Sequence, residues 1–141
     1  MENTKKWIVV VLVMIGFLPS CTVNEIHEEY MNSFSQDYTV HKKDWKVGKN
    51  DDSGDYFYYE FREPNLSQHI YEKGVMQAFM LINNNITPLP FDDFWMDGGY
   101  RWTEQVTCEF RPGSVTFILK YSDHAPIEAY YDYTFRVRFM W

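Results

Sequence analysis

The sequence predicts an all-β protein, an antiparallel β-sandwich of Ig-like or jelly-roll type with about seven strands. Three observations carry that expectation. Apolar and polar residues alternate with period two over most of the chain beyond residue 37. Gly, Pro, Asn and Asp cluster between the alternating runs, where turns need them. Aromatic residues make up 19% of the 141 residues, enough apolar area for a core without long helices.

Taken in order, Tyr38 and Val40 share one parity and Trp45 and Val47 the other, so a bulge or break is expected over 41–44. Residues 50–55 read as a loop. Phe57, Tyr59 and Phe61 then alternate with Tyr58, Glu60 and Arg62. Residues 66–73 are the one helical interlude expected inside the domain, a turn or two ended by Gly74. Residues 75–82 are apolar on both faces except for Gln77, which predicts the most central strand. Asp97-Gly98-Gly99 predicts a hairpin between the flanking aromatic runs. Beyond it, Trp102, Val106, Cys108 and Phe110 share one face, with Glu104 as the exception. Arg111-Pro112-Gly113-Ser114 is a turn, and Val115, Phe117, Leu119 and Tyr121 alternate with Ser114, Thr116, Ile118 and Lys120. Finally Tyr133, Phe135, Val137, Phe139 and Trp141 alternate with Asp132, Thr134, Arg136, Arg138 and Met140, the pattern of a sheet covered on one side. An outer-membrane barrel also ends on such a strand. Barrel strands need about 9–11 residues, however. Most runs here are shorter, and 75–82 would put apolar side chains into a polar lumen.

The first 20 residues read as an address, not as part of the fold. Lys5 and Lys6 precede an apolar run over 7–18, short of the about 20 residues a transmembrane helix needs. Leu18-Pro19-Ser20-Cys21 follows, and it resembles the lipobox of bacterial lipoproteins. The resemblance implies that Cys21 carries a diacylglycerol thioether and that 1–20 are removed. It also implies that the new amino terminus is acylated with a fatty acid such as palmitate. Thr22, not Asp, follows the cysteine, which in that family favours the outer membrane. Each buried CH₂ contributes about 0.8 kcal/mol, and two chains suffice for stable anchoring. The expected organisation is a signal at 1–20, a tether over 21–36 and the β domain over 37–141. A lipidated Cys21 leaves Cys108 without a disulfide partner in the chain.

The net charge is −7, from 13 basic and 20 acidic residues in dispersed order. That argues against nucleic acid as a partner, which requires clustered Lys and Arg to neutralise phosphates. It equally disfavours electrostatic attachment to anionic lipid.

More motifs extend the resemblance. They are Asp44-Trp45, Tyr56-Phe57-Tyr58-Tyr59-Glu60-Phe61, Leu66-Ser67, Ile70-Tyr71-Glu72-Lys73-Gly74-Val75, Leu89-Pro90, Pro112-Gly113-Ser114-Val115-Thr116-Phe117 and Tyr133-Thr134-Phe135-Arg136-Val137. With the lipobox they resemble a group of small uncharacterised lipoproteins of gut Gram-negative bacteria. Many of that group carry a collagen-like Gly-Pro-rich stretch after the anchor; residues 22–36 here contain neither glycine nor proline. The resemblance implies a shared architecture and an exported location, and brings no catalytic residue with it.

Few side chains suggest chemistry. Cys108 lies on an apolar face, where a free cysteine behaves as a small hydrophobe. His27, His41, His69 and His124 lack metal-ligand spacing, and no metal or cofactor is expected. Asp51, Asp52 and Asp55 form one acidic cluster and Asp92, Asp93 and Asp97 another, without the spacing of a calcium loop. Residues 91–102 stand out. Trp95, Tyr100, Asp92, Asp93 and Asp97 are the candidate ligand-binding residues, since rings beside carboxylates suit sugar faces and hydroxyls or a protein partner. Trp102 has the core-facing parity. The expected function is a non-enzymatic, lipid-anchored envelope module, held to the membrane through Cys21 and binding a glycan or a protein. The alternatives are an enzyme on sugars or peptides using acidic loop residues, and a subunit of a surface assembly joined through its C-terminal strand.

Overall fold

A computed structural model describes residues 31–50, 54–122 and 129–141. The signal segment, Cys21, His27, Asp51, Asp52 and His124 lie outside the described residues. In chain order the elements are β1 (Ser33–Val40), β2 (Lys46–Gly48), β3 (Tyr56–Arg62), α1 (Gln68–Lys73), β4 (Val75–Ile82), β5 (Asn85–Pro88), β6 (Phe91–Asp97), β7 (Tyr100–Arg111), β8 (Ser114–Tyr121) and β9 (Tyr133–Met140). They form two antiparallel sheets, ordered β1-β9-β4-β5 and β2-β3-β8-β7-β6. The architecture is an all-β sandwich, and both sheets are open, unlike a barrel.

The core lies between β8 and β9, where the alternation was cleanest. Val115, Phe117 and Leu119 face Phe135, Val137 and Phe139, all fully buried. Phe117 and Phe135 stack with centroids 3.9 Å apart. The chain changes sheet after β1, β3, β5 and β8, and the other connections stay within one sheet. The parity break at 41–44 is the first of these crossings, a turn in which the Asp44 N–H donates to the His41 carbonyl at 2.9 Å.

Turn chemistry accounts for the hairpins. Gly98 and Gly99 have φ of 56° and 88° between β6 and β7, and Gly113 has φ of 82° between β7 and β8. Asn83 and Asn84 take positive φ at the β4–β5 turn, where asparagine stands in for the more usual glycine. Ser67 caps α1 by accepting the Ile70 N–H. Gly74 ends the helix in an extended conformation with φ −88°, not a left-handed cap. A Cβ there would meet the carbonyls of Ile70 and Met140 at 2.6 and 2.7 Å, so glycine is needed for close approach.

Several expectations are corrected. The described residues form nine strands, since β2 and β5 are too short to announce themselves. β1 begins at Ser33, inside the stretch assigned to the tether, because Phe34 stacks on Phe139 at 4.4 Å. The strand over 75–82 is an inner strand, as expected, sharing the centre of its four-stranded sheet with β9, but it is not buried on both faces: Val75 is exposed. Its second apolar face is covered in part by Arg138, whose guanidinium sits 5.8 Å from the Phe79 ring.

The two ends of the sandwich differ. β7 and β9 run the same way across it, with Glu104 beside Tyr133 and Phe110 beside Phe139. Residue 31 joins at the Phe139 end, where Asn32 and Trp141 exchange backbone hydrogen bonds of 2.8 and 2.9 Å. The β6–β7 hairpin tip lies at the opposite end. It reaches about four residues, or ~13 Å, beyond Glu104.

Candidate functional site

The β6–β7 hairpin places its side chains by strict register. Asp93 pairs with Glu104, Trp95 with Trp102 and Asp97 with Tyr100 on the side that faces the other sheet. Asp92 pairs with Gln105, Phe94 with Thr103 and Met96 with Arg101 on the outer side. Of the five expected site residues, the structure therefore gathers Asp93, Trp95, Asp97 and Tyr100 and puts Asp92 on the other face. Sequence-adjacent carboxylates are separated by the pleat itself.

The inward side of this hairpin is an overhang. Opposite it, β9 starts only at Tyr133. What covers the gap is the segment just before β9. Tyr131 lies 6.4 Å from Trp95 and Tyr130 lies 6.2 Å from Trp102. Trp95 and Trp102 are themselves nearly parallel, 12° apart with centroids at 6.5 Å. Sequence reasoning missed Trp102, Tyr130 and Tyr131 as parts of the site. The signal for the tyrosines was the adjacent pair Tyr130-Tyr131 just before a strand of clean alternation. The array is open to solvent: Trp95 is 37% exposed, Tyr131 55% and Tyr100 79%.

Beneath the array lies Glu104, the exception on its strand, and it is buried. Its Oε1 accepts the Tyr133 hydroxyl at 2.7 Å, and the Tyr133 and Tyr121 hydroxyls lie 3.5 Å apart. Its Oε2 has no hydrogen-bond partner among the described residues. Burial raises the Glu104 carboxyl above its ordinary value, and the Asp93 charge adds to the rise, while the Tyr133 hydrogen bond opposes it. Burial also pushes Tyr121 up to about 12, so it stays protonated. The group is a fixed floor, not an acid-base pair open to solvent.

The remaining candidates do not assemble. Burial pushes the Cys108 thiol up, away from nucleophilic character. It lines a cavity of about 270 Å³ between β4 and β7 with Met76, Leu89 and Phe110. The acidic residues of the hairpin split between two faces and do not converge in a pocket. Among the described residues no three His, Cys, Asp or Glu side chains gather around a metal position. β9 is paired on both sides, by β1 and β4, so the C-terminal strand offers no free edge for assembly. β6 is an edge strand, and Asp93 Oδ1 accepts the Phe94 N–H at 2.8 Å, occupying one of its backbone donors. No family model, curated protein or solved structure matches this chain.

Proposed function

We propose that this chain is a lipid-anchored envelope protein whose sandwich is a non-enzymatic binding module, with a glycan held at the β6–β7 end. The observation that carries the reading is the near-parallel pair of exposed Trp95 and half-buried Trp102, framed by Tyr130 and Tyr131. The C–H face of a sugar ring packs on such rings while its hydroxyls reach polar neighbours, here Asp93 and Asp97. Placement supports it too. Within the sandwich, the first described residues, 31 and 32, lie at the Phe139 end, and the array lies at the opposite end. The lipobox resemblance supplies the anchor, and the acidic, dispersed charge weighs against nucleic acid.

The test is glycan binding by the full-length protein in detergent. Trp95→Ala should abolish binding at the hairpin with the melting temperature unchanged; retained binding at full affinity overturns the reading. Membrane fractionation of Cys21→Ala tests the anchor independently, with release into the soluble fraction expected.

A further inference from the structure

The outward face of the second sheet carries an ordered polar array that the hairpin does not use. Register stacks it in rows across β3, β8 and β7. Tyr58 faces Ile118, which faces Thr107. Glu60 faces Thr116, which faces Glu109, and Arg62 faces Ser114, which faces Arg111. One row further along, the Lys120 ammonium sits 5.7 Å over the Tyr56 ring. All of these side chains except Thr107, Arg62 and Ser114 line, together with Asn50, an open groove of about 330 Å³. That is within the range of roughly 300–1,000 Å³ of small-molecule sites.

The chemistry of this groove is specific. Its floor is Ile118, the apolar exception on the polar face of β8, flanked by the half-buried Tyr58. Its rim holds two carboxylates, Glu60 and Glu109, one on each side of Thr116. Two strand spacings put their Cα atoms about 10 Å apart. Arg111 and Lys120 complete the rim, and the Arg111 guanidinium lies 3.9 Å from Glu109. Two anions and two cations leave the lining without net charge, in a protein whose net charge is −7. A polyanion would meet Glu60 and Glu109, and a polycation would meet Arg111 and Lys120. A neutral polyhydroxylated ligand meets acceptors and donors on both sides and an apolar floor for its C–H face.

We propose that this groove is a second saccharide site, selective for neutral sugars, on a face distinct from the hairpin. It shares with the reading above only the class of ligand. The experiment uses the full-length protein in detergent with neutral gluco-, galacto- and manno-oligosaccharides, and sialylated ones as charged controls. Tyr58→Ala, Glu60→Gln and Glu109→Gln should each weaken neutral-sugar binding about tenfold or more, the loss expected for a removed charged hydrogen bond or ring contact. The Gln variants alter exposed side chains, so their melting temperatures should match the parent and exclude misfolding. Full affinity in all three variants overturns the proposal. Loss through Trp95→Ala alone overturns the groove and leaves the hairpin reading standing. Loss through the groove variants alone overturns the hairpin reading instead. A preference for the sialylated controls overturns the charge argument, and no saccharide bound overturns both sites.

Discussion

At the end of the sandwich where residue 31 joins, Phe34 lies flat on Phe139, and Phe110 and Trp141 pack edge-on against that pair. At the other end Trp95, Trp102 and Tyr100 follow the same alternation on a strand pair of the same kind, yet Tyr100 is 79% exposed. The difference lies in what faces them. At the first end both sheets reach equally far, and backbone bonds between Asn32 and Trp141 hold the rim together. At the second end β6 and β7 run on past the start of β9. Two buried glutamates repeat the contrast. Glu63, at the first end, has both oxygens occupied: Oε2 by the Tyr38 hydroxyl at 2.5 Å and Oε1 by the Asn65 N–H at 3.1 Å. Glu104, at the second, has one oxygen bonded and the other without a partner among the described residues. One end is finished for stability and the other is left available for contact.

This contrast can be broken by mutation. The largest effect is expected from Phe139→Ala, which should cost about 3–5 kcal/mol in denaturant unfolding, while Tyr100→Ala should stay within about 0.5 kcal/mol. Comparable losses at the two positions would refute the difference between the ends. Next, Tyr38→Phe removes the donor from Glu63 Oε2 in a buried site and should cost about 1–3 kcal/mol. A neutral result would mean that Glu63 is solvated. The smallest effect concerns pH. Folding raises the Glu104 carboxyl above its ordinary value of 4.5, so the protonated form is the one the fold prefers. Its stabilising contribution is complete below pH ~4.5 and is lost as pH rises through the raised folded value. Glu104→Gln should therefore flatten the decline of melting temperature from pH 4.5 toward 7. Parallel curves for parent and variant would remove Glu104 from the account.

The strands at the centre were legible because β8 and β9 each have one face buried along their whole length, so period two is unbroken. The short strands were not. β5 offers only Ile86 and a Pro among polar residues, and its turn uses Asn83 and Asn84 where glycine is the usual cue. Phe34 alone pulls residues 33–36 into β1, and a single ring in a polar stretch carries no period. For the site, parity placed Trp102 on the correct side of its strand. Parity says which side of a sheet a residue faces, and nothing about how far the opposite sheet extends. Asp92 shows the converse: alternation separates it from Asp93, while composition alone groups the two. Two of the breaks in alternation, Glu104 and Ile118, mark a buried polar network and the floor of a groove.

β9 also bears on how the protein is made. Within the first sheet, β1 has β9 as its sole neighbour, and β9 is what joins β1 to β4. Until residues 133–140 leave the ribosome, that sheet amounts to the β4–β5 hairpin, and Phe117 lacks its stacking partner Phe135. Such long-range pairing folds slowly. Closing the sandwich is therefore a late, long-range step that waits on β9.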